Sequence, residues 1–419
     1  MAAMDTRIPV TIITGNIAVQ TLIHFILTYF QHTFAGFLGS GKTTLINHIL
    51  TEQHGMKIAI IENEFGDVGV DDGLLKQNKK FQTDEEVIEM LNGCICCTVR
   101  QDLVSAIKKM FITKKLKVDA VIIETTGLAD PAPVAQTFFV DEDVTKICRL
   151  DAIITVVDAK HILQHLREEK PEGVENESVE QVAFADRILL NKCDLATEEE
   201  RAEIKKVIHG INSTAKIMET THSVIHPKEL LNIEGFSLDA ILTKEPEFLD
   251  TDGEHEHDTS VTSIAFNHPD PMNIGKLQNW ISDMMQTKGN DLFRYKGIIN
   301  VQGFPKKFVF QGVHMLFDGN FTEDWKDGET RESKFVFIGK NLDKEELTSK
   351  FLACRVSAEL RFAVGTKVFA RLRGGDFPDA YDKGTIIAQW DEGNPYRIKL
   401  DNGTEVWGPD DEDTYVRAQ

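Results

Sequence analysis

The chain has 419 residues, with 46 Lys and Arg against 67 Asp and Glu, so its formal net charge at pH 7 is −21. This acidic excess argues against nonspecific binding to nucleic acid or to anionic lipid, because both need a positive surface. With 42% hydrophobic and 27% charged residues, the composition excludes a disordered chain, a collagen-like chain and a multi-span membrane protein. At roughly 150 residues per domain, the length suggests about three domains.

The six cysteines are too few for a disulfide scaffold. Three of them, Cys94, Cys96 and Cys97, lie within four residues. Such a cluster in a reducing compartment points to metal or redox chemistry. The first residues, MAAMDTR, lack the basic segment followed directly by an apolar stretch that a secretory signal needs. We therefore expect a cytoplasmic protein.

The first predicted strand, residues 8–14, is separated from a Gly-rich loop at 36–43 by residues without charge. Residues 17–30 in this gap are apolar enough to suggest a membrane span. A span there would put strand and loop on opposite sides of a bilayer, whereas such a strand normally runs directly into its loop. Removing residues 16–36 restores an uninterrupted IPVTIITGFLGSGKTTL. We therefore hypothesise a retained intron, with a genuine insert and a membrane anchor as alternatives that transcript sequencing distinguishes.

The remaining elements of the first domain, residues 1–245, alternate between helix and strand. Helices are predicted at 43–50, 101–111 and 198–208, and strands at 57–61, 118–123, 152–157 and 187–190. This alternation predicts an α/β fold, a doubly wound and mostly parallel sheet of the P-loop NTPase type.

Two smaller domains are predicted after an acidic linker at 246–258. His255 and His257 in the linker form at most a weak accessory metal site, and a solvated segment is the simpler interpretation. Residues 259–356, with strands grouped around two helices, predict a small α+β domain. Residues 363–419 carry short strands separated by turn residues, including the hairpin signal Asp-Asn-Gly. They predict a small SH3- or Tudor-like barrel.

The loop GFLGSGKT at 36–43 matches the eight-position P-loop pattern. Its glycines let backbone N–H groups wrap phosphates at the positive end of the following helix. We expect Lys42 to neutralise the β- and γ-phosphates and the Thr43 hydroxyl to bind Mg²⁺. The residues predicted to bind the nucleotide here are Gly36, Gly39, Ser40, Gly41, Lys42, Thr43 and Thr44.

Asn191-Lys192-Cys193-Asp194 follows the predicted strand 187–190. Guanine presents two adjacent N–H donors, and the Asp194 carboxylate can accept from both, whereas adenine has no such pair. Asp194 is therefore predicted to select GTP over ATP. We expect Asn191 to contact the guanine edge and Lys192 to pack along the base, with a solvated turn as the alternative.

Ile123-Glu124-Thr125-Thr126-Gly127 ends a buried strand. An acid there can reach the Mg²⁺ shell or the attacking water, and a glycine lets the backbone approach the γ-phosphate. Glu124 and Gly127, with Lys42, are the predicted catalytic residues. The loop at 62–67 follows the second strand, where a nucleotide-sensing switch would lie.

Gly93-Cys94-Ile95-Cys96-Cys97 is the most distinctive motif. Three thiolates within four residues can share a soft cation only in a tight turn, which Gly93 permits. Zn²⁺ takes four ligands, so one position stays open, and Glu64 is a candidate for it. Copper(I) is chemically plausible as well, and a redox pair or buried cysteines are the alternatives to a metal site.

Together, GFLGSGKTT, ENEFGDVGVD, GCICC, ETTGLADP and NKCD resemble the CobW-type family of metal-linked P-loop GTPases. The resemblance runs from residue 8 to about residue 355, interrupted by the 21-residue insert at 16–36, and leaves the terminal barrel outside. It implies GTP hydrolysis with Mg²⁺, a metal at the three cysteines, and delivery of that metal to client enzymes. Zinc members act on methionine aminopeptidase, whereas others serve cobalt-cofactor or nitrile hydratase maturation.

Two functions follow from these motifs. The first is a zinc metallochaperone that binds GTP and transfers Zn²⁺ to a client metalloenzyme on hydrolysis. The alternative is a zinc sensor or scaffold whose GTP binding is regulatory and whose barrel recruits partners. Client-stimulated metal transfer separates the two, and an uncoupled GTPase with structural cysteines predicts no change when Cys94, Cys96 and Cys97 become Ser.

Overall fold

The computed structural model of the chain describes residues 7–15, 39–52, 55–63, 86–90, 98–125, 131–168, 170, 176–236, 261–356, 359–372 and 380–419. The chain divides into two compact units, Met1–Ser263 with Ile338–Asn341 and Ile264–Phe337 with Leu342–Gln419. The second unit combines the α+β fold and the terminal barrel. The finer domain boundaries expected from the sequence stay predictions.

The first unit is built on a parallel sheet. Its strands within the described residues are β1 Ile8–Gly15, β2 Ile58–Asn63, β3 Glu86–Met90, β4 Ala120–Glu124, β5 Cys148–Asp158, β6 Arg187–Asn191 and β7 Lys216–Glu219. They lie in the order β3-β2-β4-β1-β5-β6-β7, and every strand pair is parallel. The predicted P-loop type of α/β fold is confirmed.

Helices connect these strands. They are α1 Lys42–Thr51, α2 Thr98–Lys108, α3 Ala132–Val140, α4 Glu142–Ile147, α5 Ile162–Leu166, α6 Glu177–Phe184 and α7 Glu198–Ile211. The predicted helix at 101–111 therefore begins earlier, and it continues into a π-helical turn at Lys109–Thr113. A capping box between Thr197 and Glu200 fixes the start of α7, because the two groups satisfy backbone N–H groups reciprocally.

The central position of β1 explains its apolar sequence. It lies between β4 and β5, and Ile13 pairs with Glu124 on one side and with Ile154 on the other. Central strands of a parallel sheet are covered on both faces, so they are apolar throughout. Ile13 packs with Leu45 and Ile49 of α1, and burying each such side chain contributes about 1.5–3 kcal/mol.

The second sheet forms the α+β fold. Its strands among the described residues are β8 Val261–His268, β9 Leu292–Ile299, β10 Lys306–Val313, β11 Leu316–Asp324 and β12 Ser333–Lys340, in the order β11-β10-β9-β12-β8. Helices α8, Ile274–Lys288, and α9, Lys344–Leu352, accompany them. Trp280 of α8 and Phe351 of α9 pack with the sheet residues Tyr295, Phe310 and Phe335 in one core.

The third sheet forms a small barrel. Its strands in the described part are β13 Lys367–Arg371, β14 Tyr381–Asp391, β15 Asn394–Leu400, β16 Glu405–Gly408 and β17 Val416–Ala418, in the order β16-β15-β14-β13-β17 with antiparallel pairing. The core contains Val368, Ile386, Tyr396 and Val416. Arg361 fixes the loop that precedes β17, because its guanidinium binds the carboxylates of both Asp411 (2.8 Å) and Asp413 (2.6 Å).

Among the described residues, no helix has both the length and the apolar character needed to cross a membrane. The apolar stretch 17–30 and the linker 246–258 lie outside the described residues. The alternatives stated for the insert therefore stay predictions.

Candidate functional site

All strands of the first sheet run in the same direction, so their carboxyl ends share one edge. Open α/β sheets bind their ligands at this edge. At the ends of β1, β4, β5, β6 and β7 lie Gly15, Glu124, Asp158, Asn191 and Glu219. Four of the predicted site residues are thus within or directly after strands that end here: Glu124, Asn191, Lys192 and Asp194.

The start of α1 has the properties of a phosphate site. The helix begins at Lys42 after Gly41, no side chain caps it, and its first turn has no acidic residue. Such an N-terminus attracts anions through its N–H groups and its dipole. Ser40 is 1% exposed, and its Oγ has no hydrogen-bond partner among the described residues. A buried, unsatisfied hydroxyl beside the largely buried Lys42 fits a nucleotide phosphate.

Asn191 connects the P-loop to two other segments of this edge. Its Nδ2 donates to the Ser40 carbonyl (2.9 Å) and to Ser223 Oγ (2.9 Å). Its Oδ1 accepts from Thr220 Oγ1 (3.1 Å) and from the Ser223 N–H (2.9 Å). Protein groups therefore fill the usual capacity of this amide. The expected contact with the guanine edge stays a prediction, whereas the structure gives Asn191 a positioning role.

Ser223 completes this connection. Its hydroxyl donates to the Gly41 carbonyl (3.0 Å), so it reaches the P-loop directly as well as through Asn191. Ser223 is buried and has a φ of 54°, an unusual conformation for a residue other than glycine. Thr220 and Ser223 follow β7 and were not expected from the sequence. No sequence signal identified them, because β7, the strand that they follow, was not predicted.

Asp158, at the end of β5, holds Lys192. Its Oδ2 accepts from Lys192 Nζ (2.7 Å) and lies 3.0 Å from His161 Nδ1, and its Oδ1 accepts from the Lys160 N–H (2.8 Å). Burial by itself raises the pKa of Asp158, but the hydrogen bonds from Lys192 and His161 outweigh it, so the net pKa lies below the usual value. Asp158 therefore stays ionised and fixes the lysine at neutral pH.

Asp194 lies in a short 3-10 helix, Cys193–Leu195, and is exposed. Behind it, Arg201 of α7 donates to the carbonyls of Cys193 and Ala196, each at 3.1 Å. Burial raises the pKa of the Cys193 thiol, so this cysteine packs as a neutral side chain. The exposed carboxylate therefore lies on a fixed turn, and its predicted role in accepting from guanine stays a prediction.

Glu124 ends β4 next to the nucleotide edge. Thr125 directly after it is buried, and its N–H donates to the carbonyl of Ile13 in β1 (3.0 Å). This bond holds the end of β4 against the strand that precedes the P-loop. The catalytic role of Glu124 stays a prediction.

Two domains of this chain match family models. The CobW/HypB/UreG nucleotide-binding domain matches residues 31–219, and the cobalamin synthesis protein cobW C-terminal domain matches residues 261–355. The zinc chaperone YjiA of Escherichia coli is 36% identical over 327 residues, covering 76% of this chain and 96% of YjiA. The chain belongs to the CobW family.

A solved structure of YjiA and a further relative support this family assignment. The crystal structure of Zn(II)-bound YjiA GTPase from E. coli superposes with a TM-score of 0.63 at 30% identity, covering 84% of this chain and 100% of that one. The zinc-regulated GTPase metalloprotein activator 1 of Dictyostelium discoideum is 34% identical over 300 residues, 64% of this chain and 61% of that protein. The predicted GTPase class is confirmed, with GTP and Zn²⁺ as cofactors and Mg²⁺ as expected for a GTPase.

The CobW nucleotide-domain match begins at residue 31, whereas β1 ends at Gly15. The strand at the centre of the sheet is thus separated from the matched range by part of the insert at 16–36. Residues 363–419 lie after both matched ranges, so the barrel is an addition to the two CobW-family domains. The retained-intron hypothesis stays a prediction.

Several predicted site residues lie outside the described residues. They are Gly36, Glu64, Cys94, Cys96, Cys97 and Gly127. Among the residues that the structure does describe, no group of three or more His, Cys, Asp or Glu side chains could hold a metal ion. The predicted metal site is therefore a proposal for this CobW-family chain.

We expect Asp158→Asn to weaken the binding of GTP and GDP equally, by about tenfold, because hydrogen bonds to charged groups contribute about 1.5–3 kcal/mol. The folded pKa is depressed, so the contribution of Asp158 is present above the ordinary Asp pKa and lost as the pH falls through the folded value. Titration with a fluorescent GDP analogue at pH 6 and pH 8 should therefore show the same loss.

Asp186→Asn is the matched control for this change. Asp186 is also a buried carboxylate of the same sheet, but its Oδ2 accepts from the Ile153 N–H (2.9 Å) just before β6 begins. It is thus at the edge opposite the nucleotide. Equal losses of nucleotide affinity in the two variants would show that Asp158 acts through stability alone.

Proposed function

We propose that this CobW-family GTPase binds zinc at its Cys-x-Cys-Cys motif and transfers it to a client metalloenzyme on GTP hydrolysis. The register of β2 and β3 carries the proposal, because Asn63 pairs with Met90 at the nucleotide edge of the sheet. Glu64 follows Asn63 directly in the sequence, and Cys94 comes four residues after Met90. The candidate metal ligands thus belong to segments that leave adjacent strands at this edge.

The proposed metal site combines three thiolates and one carboxylate. Cys94, Cys96 and Cys97 supply sulfur ligands, and Glu64 supplies the fourth ligand of a tetrahedral Zn²⁺ site. A carboxylate is a weaker partner for zinc than a thiolate, so it is the ligand most easily exchanged for one from a client. Support comes from the relatives, since YjiA is named a zinc chaperone.

The proposed nucleotide site uses the two fixed loops described above. Lys42 and the start of α1 hold the β- and γ-phosphates, Thr43 supplies the Mg²⁺ ligand, and Asp194 accepts from the guanine N–H donors. The Asn191 amide holds the phosphate loop and the base loop together, so both ends of the nucleotide meet prearranged groups.

Coupling between nucleotide and metal requires that GTP and GDP give different zinc affinities. By linkage, zinc then changes GTP affinity by the same factor. Glu124 at the end of β4, Gly127 after it, and the loop that follows β2 are proposed to sense the γ-phosphate. β2 pairs with both β3 and β4, so these segments leave neighbouring strands, which favours direct coupling.

The client is proposed to be a metalloenzyme, since the Dictyostelium relative is named a metalloprotein activator. Methionine aminopeptidase is the candidate that the family resemblance suggests. A cytoplasmic location, with no nucleic-acid and no membrane partner, completes the proposal.

The test is zinc affinity measured by chelator competition in GTP-analogue and GDP states, with protein lacking residues 16–36. We expect zinc to bind about tenfold more tightly in the GTP-analogue state, within the usual range of coupling. The triple change of Cys94, Cys96 and Cys97 to Ser should abolish this difference. Equal affinity in both states would overturn the gating mechanism.

Two controls make the result specific to the motif. A YjiA variant with one glutamate and two cysteines replaced by alanine also has a Zn(II)-bound crystal structure, so zinc binding alone does not identify the site. The nucleotide dependence is therefore the decisive quantity. Replacing His255 and His257 by Ala removes the linker histidines and should leave the nucleotide dependence unchanged, as should Cys354→Ser, whose thiol is buried with a pKa raised to about 11.

A further inference from the structure

The terminal barrel has an unusual distribution of charge. Residues 359–372 and 380–419 contain seven basic and ten acidic residues. Side chains alternate along a strand, and Val368, Ala370, Ile386, Ile398 and Val416 point into the core. The residues between them form what we call the outer face. It carries six of the seven basic residues: Lys367, Arg371, Lys383, Arg397, Lys399 and Arg417.

The register places these basic residues in rows across the strands. Arg417 pairs with Phe369, and Phe369 with Lys383. Lys367 and Lys399 both pair with Thr385 of the intervening strand. Side chains of directly paired residues are roughly 5 Å apart, so Arg417, Lys383, Lys367 and Lys399 form one basic group, and the outer face also carries one acid, Glu405, opposite Lys399.

Aromatic rings order the cations of the outer face. The Arg417 guanidinium lies 4.1 Å from the Tyr381 ring centroid, and Lys383 Nζ lies 5.9 Å from that of Phe369. These contacts restrict the side chains before a partner arrives, which lowers the entropy lost on binding. Such a surface is preorganised for anionic groups.

Two apolar side chains flank the middle of the outer face. Arg397 pairs with Trp407 on one side and with Ala388 on the other, where a register shift leaves Ile387 as an extra residue. Trp407 is 40% exposed and Ile387 37% exposed. Arg397 is held between them by Asp391 (2.6 Å) and Glu405 (2.7 Å). Exposed tryptophan beside fixed arginine is a composition typical of binding hot spots.

We propose that the outer face is a docking surface for a short acidic peptide segment of a partner protein, with an apolar residue of that segment packing on Trp407 and Ile387. Arg397, already bound by Asp391 and Glu405, lies 5.3 Å from the Trp407 ring centroid and orders the tryptophan for the apolar residue of the peptide. The carboxylates of the peptide face the basic group around Phe369 and Thr385 instead.

The charges around the outer face favour a short peptide over nucleic acid. The turn at Asp401 and the loop 410–413 carry acidic residues, and both adjoin the strands of this face. Nucleic-acid binding draws its affinity from many neutralised phosphates, so a longer polyanion would extend from the face onto these acids. A peptide of about six residues fits within the basic rows. This inference does not depend on the metal-transfer proposal.

The test uses the full chain and four fluorescent probes: a six-residue Glu peptide with one internal Leu, the same peptide with Gln for Glu, an all-Glu peptide, and a dT12 oligonucleotide. We expect the Glu peptide to bind with an affinity that falls as salt rises, and the Gln peptide not to bind. The double change Lys383→Glu and Lys399→Glu should lower the affinity for the Glu peptide at least tenfold. Trp407→Ala should lower the affinity for the Leu-containing peptide but not the affinity for the all-Glu peptide.

Lys206→Glu with Lys306→Glu is the matched control, because it makes the same change in charge at two exposed lysines outside the barrel. It should leave the affinity for the Glu peptide within twofold. Three results would overturn the proposal: equal weakening in the control, tighter binding of dT12 than of the Glu peptide, or no binding of the Glu peptide at millimolar concentration. Thermal unfolding of each variant shows that it is folded.

Discussion

Gly41→Ala should weaken the binding of both GTP and GDP by about 100-fold, because a misplaced loop can lose this much of a prearranged site. A Cβ atom at this position would lie 2.3 Å from Asn191 Nδ2 and 2.9 Å from Ser223 Oγ. These two side chains are held by the hydrogen bonds that connect the P-loop to the loops after β6 and β7, so neither can move away without breaking them. Titration with a fluorescent GDP analogue measures the loss.

Gly55→Ala separates the clash from backbone strain. Gly41 has a φ of 108°, and Gly55 also has a positive φ, 73°, but a Cβ atom at Gly55 meets nothing within 4 Å. Gly55→Ala should therefore lower the free energy of unfolding by only roughly 1–2 kcal/mol, the cost of a left-handed conformation in a residue other than glycine. Its nucleotide affinity should stay unchanged within twofold. If Gly41→Ala binds GDP as the unsubstituted protein does, the close contact with Asn191 has no functional importance.

The second large effect is expected for Asn191→Ala, which should lower both stability and nucleotide affinity. It leaves the buried Ser40 carbonyl, the Ser223 N–H and the Thr220 hydroxyl without this partner. Each buried unsatisfied group costs about 1–3 kcal/mol, so the free energy of unfolding should fall by about 3 kcal/mol or more. Because the link between the phosphate loop and the base loop is lost, the affinity for GDP should fall by about 100-fold.

Asn212→Ala provides a close structural match. The Asn212 amide is also fully buried, and it donates to the carbonyls of Val182 (2.8 Å) and Ala185 (2.9 Å). It precedes β7 and therefore lies at the edge of the sheet opposite the nucleotide. Urea unfolding should show similar destabilisation in the two variants, whereas nucleotide affinity should fall only in Asn191→Ala. A similar fall in both would make Asn191 a stabilising residue without a specific role in the site.

In the first sheet, the sequence predicted the central strands well and neither outer strand. β3, with the sequence EVIEM, and β7, with the sequence KIME, were not predicted, and they are the two outer strands of the described part of the first sheet. In the second sheet, the outer strand β11 was also missed, whereas the other outer strand, β8, corresponds to a strand predicted at 259–267. A central parallel strand is apolar on both faces, whereas an edge strand is partly solvated and lacks a continuous apolar run.

The nucleotide motifs were recognisable because their function depends on residues that are close in sequence. A phosphate loop needs glycines, a lysine and a hydroxyl at fixed spacing before a helix, and residues 36–43 have them. The guanine motif similarly needs its acid three residues after Asn191. Chemistry of this kind, with the family and the GTPase class that follow from it, was determined by the sequence itself.

The contacts that hold these motifs together were decided by the tertiary structure. Ser223 reaches the Gly41 carbonyl across 182 positions of sequence, and Asn191 reaches the Ser40 carbonyl across 151. Asp158 is likewise one of many acids until β5 and β6 pair and bring Lys192 beside it. Hydrogen bonds depend on position and direction in space, and a parallel sheet sets both by joining strands that are far apart in the chain.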